Sequence, residues 1–398
     1  MIRLRNAARD PNQAVYLVLI VGVLVFPVLA GFISPGDSGN YLLGQAADAG
    51  VYVLLAIGLN VVVGFAGLLD LGYAAFFAIG AYTYALLASG QLNSSPIHHA
   101  VHLPFWLLLF VAVIVAATAG AILGAPTLRL RGDYLAIVTL GFGEIVPKLF
   151  LNLSQWTSGV NGVSALDYPS LPVWINGPWV GSSFQLVNNF SFAFNSMAYY
   201  WLMAILVLVV VLLVTNLQRS RMGRAWGAIR EDEVAAESMG INTVTTKLLA
   251  FSIGAATSGF AGVFYGAKLS LVSPENFSFV VSVTILVMVV LGGMGNIPGV
   301  IVGALAIYYV LFNVLTNLPS NARAIANAVG LGFLNQSNAN GWPGLEQEVQ
   351  RLNFLIFGLI LISIMLLRPQ GLLPSRVRKE ELQKGVSDQP VADLAETV

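Results

Sequence analysis

The chain has 398 residues, of which 57% are hydrophobic and only 10% are charged, and its 19 basic and 19 acidic residues cancel in the formal net charge. Its mean hydropathy is +0.79. So few polar side chains cannot cover the surface of a water-soluble globule, and the composition therefore predicts an all-α, polytopic membrane protein. The absence of cysteine excludes disulfides and thiolate metal sites.

Apolar stretches of membrane-spanning length recur along the whole chain. A helix needs roughly 20 apolar residues to cross a bilayer, and about ten stretches reach or approach that length. The first is interpreted as an uncleaved anchor, although a signal peptide has a similar pattern. The eighth and tenth are short, which leaves open whether they cross fully. The predicted spans are 15–33, 42–65, 72–89, 104–126, 133–151, 198–217, 248–272, 279–293, 297–316 and 353–367.

The basic residues predict how these spans are oriented. Short cytoplasmic loops are enriched in Lys and Arg, and most of the 19 basic residues fall on one side if the N-terminus is inside. Lys148 and Lys268 lie at outer ends of spans, where we expect them to reach the surface by snorkelling. The predicted segments are a cytoplasmic N-terminus at 1–14, a transmembrane permease domain at 15–373 with a cytoplasmic loop at 218–247 and outer loops at 152–197 and 317–352, and a disordered cytoplasmic tail at 374–398.

Polar residues inside the spans are the candidates for a translocation path, because a charge in hydrocarbon is costly unless it faces protein or water. Asn60 lies on the second span, and Thr139 and Glu144 lie on the fifth. Glu144 is equally compatible with a carboxyl that bonds a neighbouring backbone. Asp70, just before the third span, is expected to be solvated near the inner surface. Pro147 predicts a kink in the fifth span.

One charged stretch, 218–241, interrupts the apolar sequence. Its acidic run suits a helix N-terminus, and Gly240 suits the left-handed residue that ends a helix. The small side chains in the middle would let another protein approach closely. The pattern predicts a docking helix over roughly Glu231 to Met239, with a solvated connector as the alternative. The residues assigned to docking are Glu231, Asp232, Glu233, Ala235, Ala236, Glu237 and Gly240.

Several kinds of chemistry are not indicated by the sequence. No Gly-Lys dipeptide is present, so the chain has no P-loop to bind ATP. The three histidines, His98, His99 and His102, lie in one outer loop without carboxylate neighbours, and a wet loop is preferred to a metal site. No catalytic residue and no metal ligand is predicted. The glycine-rich runs are interpreted as sites of close helix packing.

Four segments together resemble the branched-chain amino-acid ABC importer permeases, and specifically the larger permease subunit of that family. The resemblance covers roughly residues 42 to 373. One family segment, Thr-Gly-Gly-Pro-Asn-Gly, stands here as Thr157-Ser158-Gly159-Val160-Asn161-Gly162. The four segments are NVVVGFAGLLDLGYAAFFAIGAY from Asn60, LRLRGDYLAIVTLGFGEI from Leu128, LGGMGNIPG from Leu291 and RPQGL from Arg368.

The resemblance implies an importer driven by ATP and fed by a soluble solute-binding protein that delivers branched-chain or other hydrophobic amino acids. It implies a heterodimer with a second permease subunit and two ATP-binding subunits that hold ATP and Mg²⁺, in a bacterial or archaeal plasma membrane. No cofactor is expected in this chain and no nucleic acid as a partner. The charged stretch then becomes a coupling helix against the ATPase.

Two other functions remain open at this stage. The same architecture could import urea, short amides or other amino acids, because permeases for those solutes are similar at this resolution. An ion-coupled secondary transporter is the second alternative, although such proteins usually need paired acids or unwound carbonyl cages near the midplane. An intramembrane enzyme would need clustered catalytic groups, which the spans do not show.

Overall fold

The computed structural model describes residues 11–33, 37–99, 101–127, 133–169, 195–335, 344–367 and 371–373. The predicted tail at 374–398 and most of the N-terminus at 1–14 lie outside these residues. Helices dominate the described part. They are α1 (Pro11–Ile33), α2 (Asp37–Leu59), α3 (Tyr73–Leu87), α4 (Phe105–Thr127), α5 (Asp133–Asn152), α6 (Ser196–Arg219), α7 (Arg221–Glu231), α8 (Glu233–Ser238), α9 (Thr243–Leu269), α10 (Phe279–Gly292), α11 (Ile297–Tyr309), α12 (Thr316–Ala328) and α13 (Leu345–Leu367).

Every predicted span falls on one of these helices, and the all-α, polytopic fold is confirmed. Within the described residues, 8 helices are long and apolar enough to cross a membrane. The third predicted span, α3, has only 15 residues. The tenth, α13, has 23 residues and is not among the eight found in the described part of the chain. The number of ten full crossings therefore remains a prediction.

Helix α9 lies at the centre of the bundle and packs against α2, α3 and α4. Close approach depends on glycine, because a Cβ atom at Gly262 would lie 2.5 Å from the backbone nitrogen of Ala81. A Cβ at Gly259 would lie 2.9 Å from the carbonyl oxygen of Ala112. Helices α10 and α11 pack in the same way, since a Cβ at Gly303 would lie 2.5 Å from the Cα of Gly292. The predicted packing role of the glycines is confirmed.

Two spans change their helical winding before they end. Helix α2 continues into a π-helical turn at Asn60–Phe65, here called the π turn, whose six residues are all buried. Helix α11 continues through a second π-helical segment at Val310–Leu315 into α12. Isolated π-helical turns often occur at functional sites. The sequence did not indicate either of them.

The segment predicted as an outer loop at 317–352 is largely helical where it is described. Helices α11 and α12 form one apolar stretch, Ile297–Ala328, of 32 residues. A 3₁₀ turn at Gly332–Asn335 follows, and α13 begins at Leu345. The placement of this segment on the outer side of the membrane remains a prediction, and the structure adds that a long amphipathic helix carries the chain past the end of the apolar span.

Short strand pairs cover the end of the bundle opposite to α7 and α8. Strand β1 (Ala88–Ser89) pairs with β2 (Val101–His102), and β3 (Val163–Ser164) pairs with β4 (Leu271–Val272). Nδ1 of His102 lies 2.7 Å from Oδ2 of Asp167, so this histidine does have a carboxylate neighbour, contrary to the sequence analysis. Among the described residues no three His, Cys, Asp or Glu side chains cluster as a metal site would require.

Candidate coupling surface and polar contacts of the bundle

The charged stretch folds as two helices rather than one. Ser220 caps α7 by accepting hydrogen bonds from the backbone nitrogens of Met222 and Gly223. Asp232 is extended, with φ −153° and ψ 111°, and its carboxylate caps α8 by accepting from Val234 and Ala235. The acidic run therefore does mark a helix N-terminus. Its start was predicted two residues too early, because Glu231 is the last residue of α7 and α8 begins at Glu233.

Gly240 ends α8 as predicted. Its φ is +84°, a conformation that glycine adopts without the steric cost of a Cβ atom. The backbone nitrogen of Gly240 donates to the carbonyl of Glu237, and that of Ile241 donates to the carbonyl of Ala236. This pattern closes a helix C-terminus. Asn242 caps the next helix, since its side chain accepts from the backbone nitrogen of Thr245.

The two alanines assigned to docking point in different directions. Ala235 is exposed, whereas Ala236 is only 3% exposed and is buried in the chain's own fold. Val234 is 63% exposed and Met239 is 84% exposed, although both are apolar. The exposed surface of α8 thus consists of Val234, Ala235, Glu237, Ser238 and Met239, and it is called here the α8 surface.

Three side chains fix this surface to the bundle. The indole of Trp226, fully buried, donates to the carbonyl oxygen of Thr246 at 2.7 Å. The ammonium of Lys247, itself buried, lies 2.5 Å from Oε1 of Glu233. Arg230 donates to the carbonyl oxygen of Gly64 at 2.6 Å. Helices α7 and α8 are therefore attached to α9 and to the π turn at the same time.

Asn60, a predicted path residue, makes a structural contact. Its Oδ1 accepts a hydrogen bond from the backbone nitrogen of Gly295 at 2.8 Å, and its side chain is fully buried. A Cβ at Gly64 would lie 2.0 Å from this Oδ1, so glycine is needed for the contact. The π turn is thus bonded to α7 through Gly64 and to the turn after α10 through Asn60.

The turn after α10 also contacts the segment that follows α13 in the chain. The backbone nitrogens of Leu372 and Leu373 donate to the carbonyls of Leu291 and Gly292. The side chain of Asn296 donates to the carbonyl of Leu373 at 2.8 Å. Of the four segments that carry the resemblance, three therefore meet at the α7 and α8 end of the bundle.

Thr139 and Asp70 lie together beneath the N-terminus of α3. Thr139 accepts from the backbone nitrogen of Leu71 at 3.1 Å and donates to the carbonyl of Ala136. Asp70 accepts from the backbone nitrogen of Gly72 at 2.9 Å, and it is only 1% exposed. Asp70 was expected to be solvated, and that expectation is wrong. Burial raises the pKa of Asp70 to about 6, although its hydrogen bonds oppose the shift.

Glu144 does not join these residues. Its carboxylate is half exposed and lies 3.5 Å from the ammonium of Lys148 one turn further along α5. Asn60 bonds Gly295, Thr139 bonds Leu71, and Glu144 pairs with Lys148, so the structure does not bring the three path candidates into one site. Their role in translocation remains a prediction.

A charged pair that the sequence analysis missed lies near the opposite end of α9. Lys268 does not snorkel to the surface, because its ammonium lies 2.5 Å from Oδ1 of Asp48 and donates to the carbonyl of Gly44. The sequence places Asp48 and Lys268 far apart on different spans. Lys268 stands at a helix end that the sequence analysis predicts to be outer, where a lysine ordinarily reaches water, so the sequence carried no signal for the pair.

Comparison with known proteins gives the context for this geometry. The family model for the branched-chain amino acid transport system, permease component, matches residues 41–365. The high-affinity branched-chain amino acid transport system permease protein LivM of Escherichia coli is 40% identical over 347 residues, which cover 85% of this chain and 71% of LivM. LivH of the same organism is 31% identical over 261 residues, covering 64% and 78% of the two chains.

A more distant relative extends the match to archaea. The probable branched-chain amino acid transport permease protein LivM of Methanocaldococcus jannaschii is 26% identical, over 82% of this chain and 91% of its own length. No solved structure matches the chain significantly. The family match covers most of the chain, including the π turn, α7, α8 and the turn after α10, and the chain therefore belongs to the branched-chain amino acid transport permease family.

Proposed function

We propose that this permease is one subunit of a binding-protein-dependent importer of branched-chain or other hydrophobic amino acids, in the plasma membrane of a bacterium or archaeon. The α8 surface is the observation that supports coupling of this chain to an ATPase subunit. Val234 and Met239 are apolar and exposed, on or next to a short helix that also carries the charged residues Glu233 and Glu237. An exposed apolar patch rimmed by polar residues marks a protein contact.

The attachment of this surface suits the transmission of force. A segment that transmits motion must move as one rigid body with the membrane spans to which it is attached. Trp226 and Glu233 attach α7 and α8 to the start of α9, and Arg230 attaches them to the end of α2. A displacement of the α8 surface by a closing ATPase would therefore move two long helices of the bundle together.

ATP hydrolysis belongs to separate subunits in this proposal. The chain has no P-loop, and its family consists of transport permeases. ATP and Mg²⁺ would be held by two ATP-binding subunits, one of which contacts the α8 surface. The relatives include both LivM and LivH, which supports a second, homologous permease as the other half of the membrane domain. A soluble binding protein would deliver the solute on the outer side.

The burial of their side chains divides the residues assigned to coupling into two groups. Val234, Ala235, Glu237 and Met239 would touch the ATPase, whereas Asp232, Glu233, Ala236 and Gly240 would shape and fix the helix. The boundaries of the permease domain and the cytoplasmic position of 218–247 belong to the same proposal. Import of urea, short amides or other amino acids remains the alternative for the substrate.

Co-expression tests the proposal. The chain is produced with the permease, ATP-binding and binding-protein genes that neighbour it, purified through a tag on this chain and reconstituted in proteoliposomes. We expect a second permease and an ATPase to co-purify, and leucine uptake that requires ATP and the loaded binding protein and stops with vanadate. Uptake driven by an ion gradient, without ATP, would contradict the proposal. Uptake of urea or an amide in place of leucine would retain the architecture and replace the substrate.

A further inference from the structure

The pair of Asp48 and Lys268 is an unusual feature for the interior of a membrane bundle. The ammonium of Lys268 has two partners at 2.5 Å, Oδ1 of Asp48 and the carbonyl oxygen of Gly44. The side chain of Lys268 is 13% exposed, and that of Asp48 is 38% exposed. Asp48 therefore presents part of its carboxylate to the surroundings of the chain.

The exposed part of Asp48 cannot face lipid without a large cost. Ionisable groups within membrane spans almost always face the interior of a bundle or a water-filled cavity, and they commonly mark substrate paths. Asp48 lies on the third turn of α2 and Lys268 in the last turn of α9. The pair therefore sits towards the end of the bundle opposite to α7 and α8, which is the predicted outer end.

Aromatic rings border the pair on the same side. Tyr52 stands four residues after Asp48 and so lies on the same face of α2. Its ring centroid lies 5.6 Å from that of Tyr308 and 5.4 Å from that of Phe312. The rings of Tyr308 and Phe312 are stacked at 4.6 Å. Phe312 is exposed on the described chain, whereas Tyr52 is partly buried and Tyr308 is buried, so Phe312 forms the exposed edge of this aromatic cluster.

We propose that Asp48, Lys268 and the carbonyl of Gly44 bind the zwitterionic backbone of an aliphatic amino acid, with its side chain against Tyr52, Tyr308 and Phe312. The inference rests on the proposed function and specifies its substrate class. The ammonium of the amino acid replaces that of Lys268 beside Asp48 and Gly44. Lys268 then pairs with the carboxylate of the amino acid.

The charge balance favours a zwitterion over other solutes. Inserting one positive and one negative charge between Asp48 and Lys268 leaves each charged group paired and the net charge unchanged. A solute with one charge would leave an uncompensated charge at a poorly solvated site, which is strongly unfavourable. A neutral solute such as urea offers no charge to replace either member of the pair. The site therefore discriminates against the alternative substrates by electrostatics.

The test uses the reconstituted full complex and two neutral variants, Asp48→Asn and Lys268→Met. Glu346→Gln is the matched control, because it removes another ion pair, with Arg323 at 3.0 Å, from the same predicted side of the protein. We expect both test variants to assemble with the second permease and the ATPase. Their leucine uptake should fall about tenfold or more, the loss expected from one charged hydrogen bond. The control should transport normally.

A photoreactive diazirine analogue of leucine gives a readout that a purely structural role would not change. During turnover it should label peptides that contain Tyr52, Tyr308 or Phe312 in the wild-type and control complexes, and not in the two variants. Unchanged labelling and uptake in Asp48→Asn would overturn the inference.

The double variant Asp48→Lys with Lys268→Asp separates binding from helix attachment. If the pair only attaches α2 to α9, the reversed pair restores uptake, and the inference is wrong. If the pair binds substrate, the double variant assembles but its uptake stays low, because an ammonium then occupies the place of the substrate's ammonium beside the aromatic residues. A wild-type complex that imports no amino acid refutes the proposed function itself. Normal wild-type leucine uptake with unaffected variants refutes only this site.

Discussion

The two ends of α9 carry the same interaction in different surroundings. At one end, buried Lys247 pairs with Glu233 of α8, and at the other, mostly buried Lys268 pairs with Asp48 of α2, each with 2.5 Å between nitrogen and oxygen. The first pair joins the bundle to a short helix that projects from it. The second joins two spans beside an aromatic cluster.

The two ends of α9 differ in the other contacts that surround each ion pair. Around Lys247, the bonds of Trp226 and Arg230 keep α7 and α8 attached even if the ion pair is lost. Lys268 has one additional partner, the carbonyl oxygen of Gly44, which could equally accept a hydrogen bond from the ammonium of a bound amino acid. A buried pair supported by other contacts suits a rigid lever. A buried pair whose partners can be exchanged suits a binding site.

The largest expected effect comes from removing the main support of the first end. Trp226→Ala deletes a fully buried side chain and its bond to Thr246 and should lower the free energy of unfolding by about 3–5 kcal/mol. In detergent, the melting temperature of the purified complex should fall and less ATPase should co-purify. Trp226→Phe is the control, since it keeps most of the packing. A melting temperature equal to that of the wild type in Trp226→Ala would show that α7 is not held by this contact.

A smaller effect should separate the two lysines directly. Lys247→Met leaves Glu233 without its partner, but Glu233 is about a third exposed, so water offsets much of the loss and we expect about 1–2 kcal/mol. ATP hydrolysis should continue while uptake falls, because the lever has become loose. Lys268→Met should instead lose uptake together with the photolabelling of Tyr52, Tyr308 or Phe312 by the leucine analogue, whereas Lys247→Met should keep that labelling. Equal labelling in the two variants would mean that the two ends do not differ.

The sequence predicted more of the α8 end than of the opposite end, and the reason is physical. Caps and turns depend on neighbouring residues, so Asp232 and Gly240 could be assigned from local chemistry. The pairing of Asp48 with Lys268 depends on how α2 and α9 are positioned, and hydropathy does not encode that. The π turn at Asn60–Phe65 was missed for the same reason, since its bonds to Arg230 and Gly295 come from remote segments.

Within a single turn of α8, local sequence was also insufficient to predict which side chains are buried. Ala235 and Ala236 are identical and adjacent, and local sequence alone cannot say which of them faces the bundle. The structure buries Ala236 and exposes Ala235, because α8 lies with one side against α9. The burial of Ala236 argues against docking by that alanine, and docking by Ala235 remains a prediction.

The smallest effect on the stability of the chain, and the sharpest test of the α8 surface, comes from comparing these two alanines. Ala235→Trp adds a ring to an exposed position and should leave the melting temperature of the permease unchanged, while it prevents the ATPase from seating and abolishes ATP-driven uptake. Ala236→Trp forces the same ring into a buried position, where overpacking costs about 1–3 kcal/mol or more. It should lower the melting temperature as well as uptake. Both quantities are measured on the same reconstituted complexes. If Ala235→Trp transports leucine at the wild-type rate, the α8 surface does not contact the ATPase, and α7 and α8 form a solvated connector.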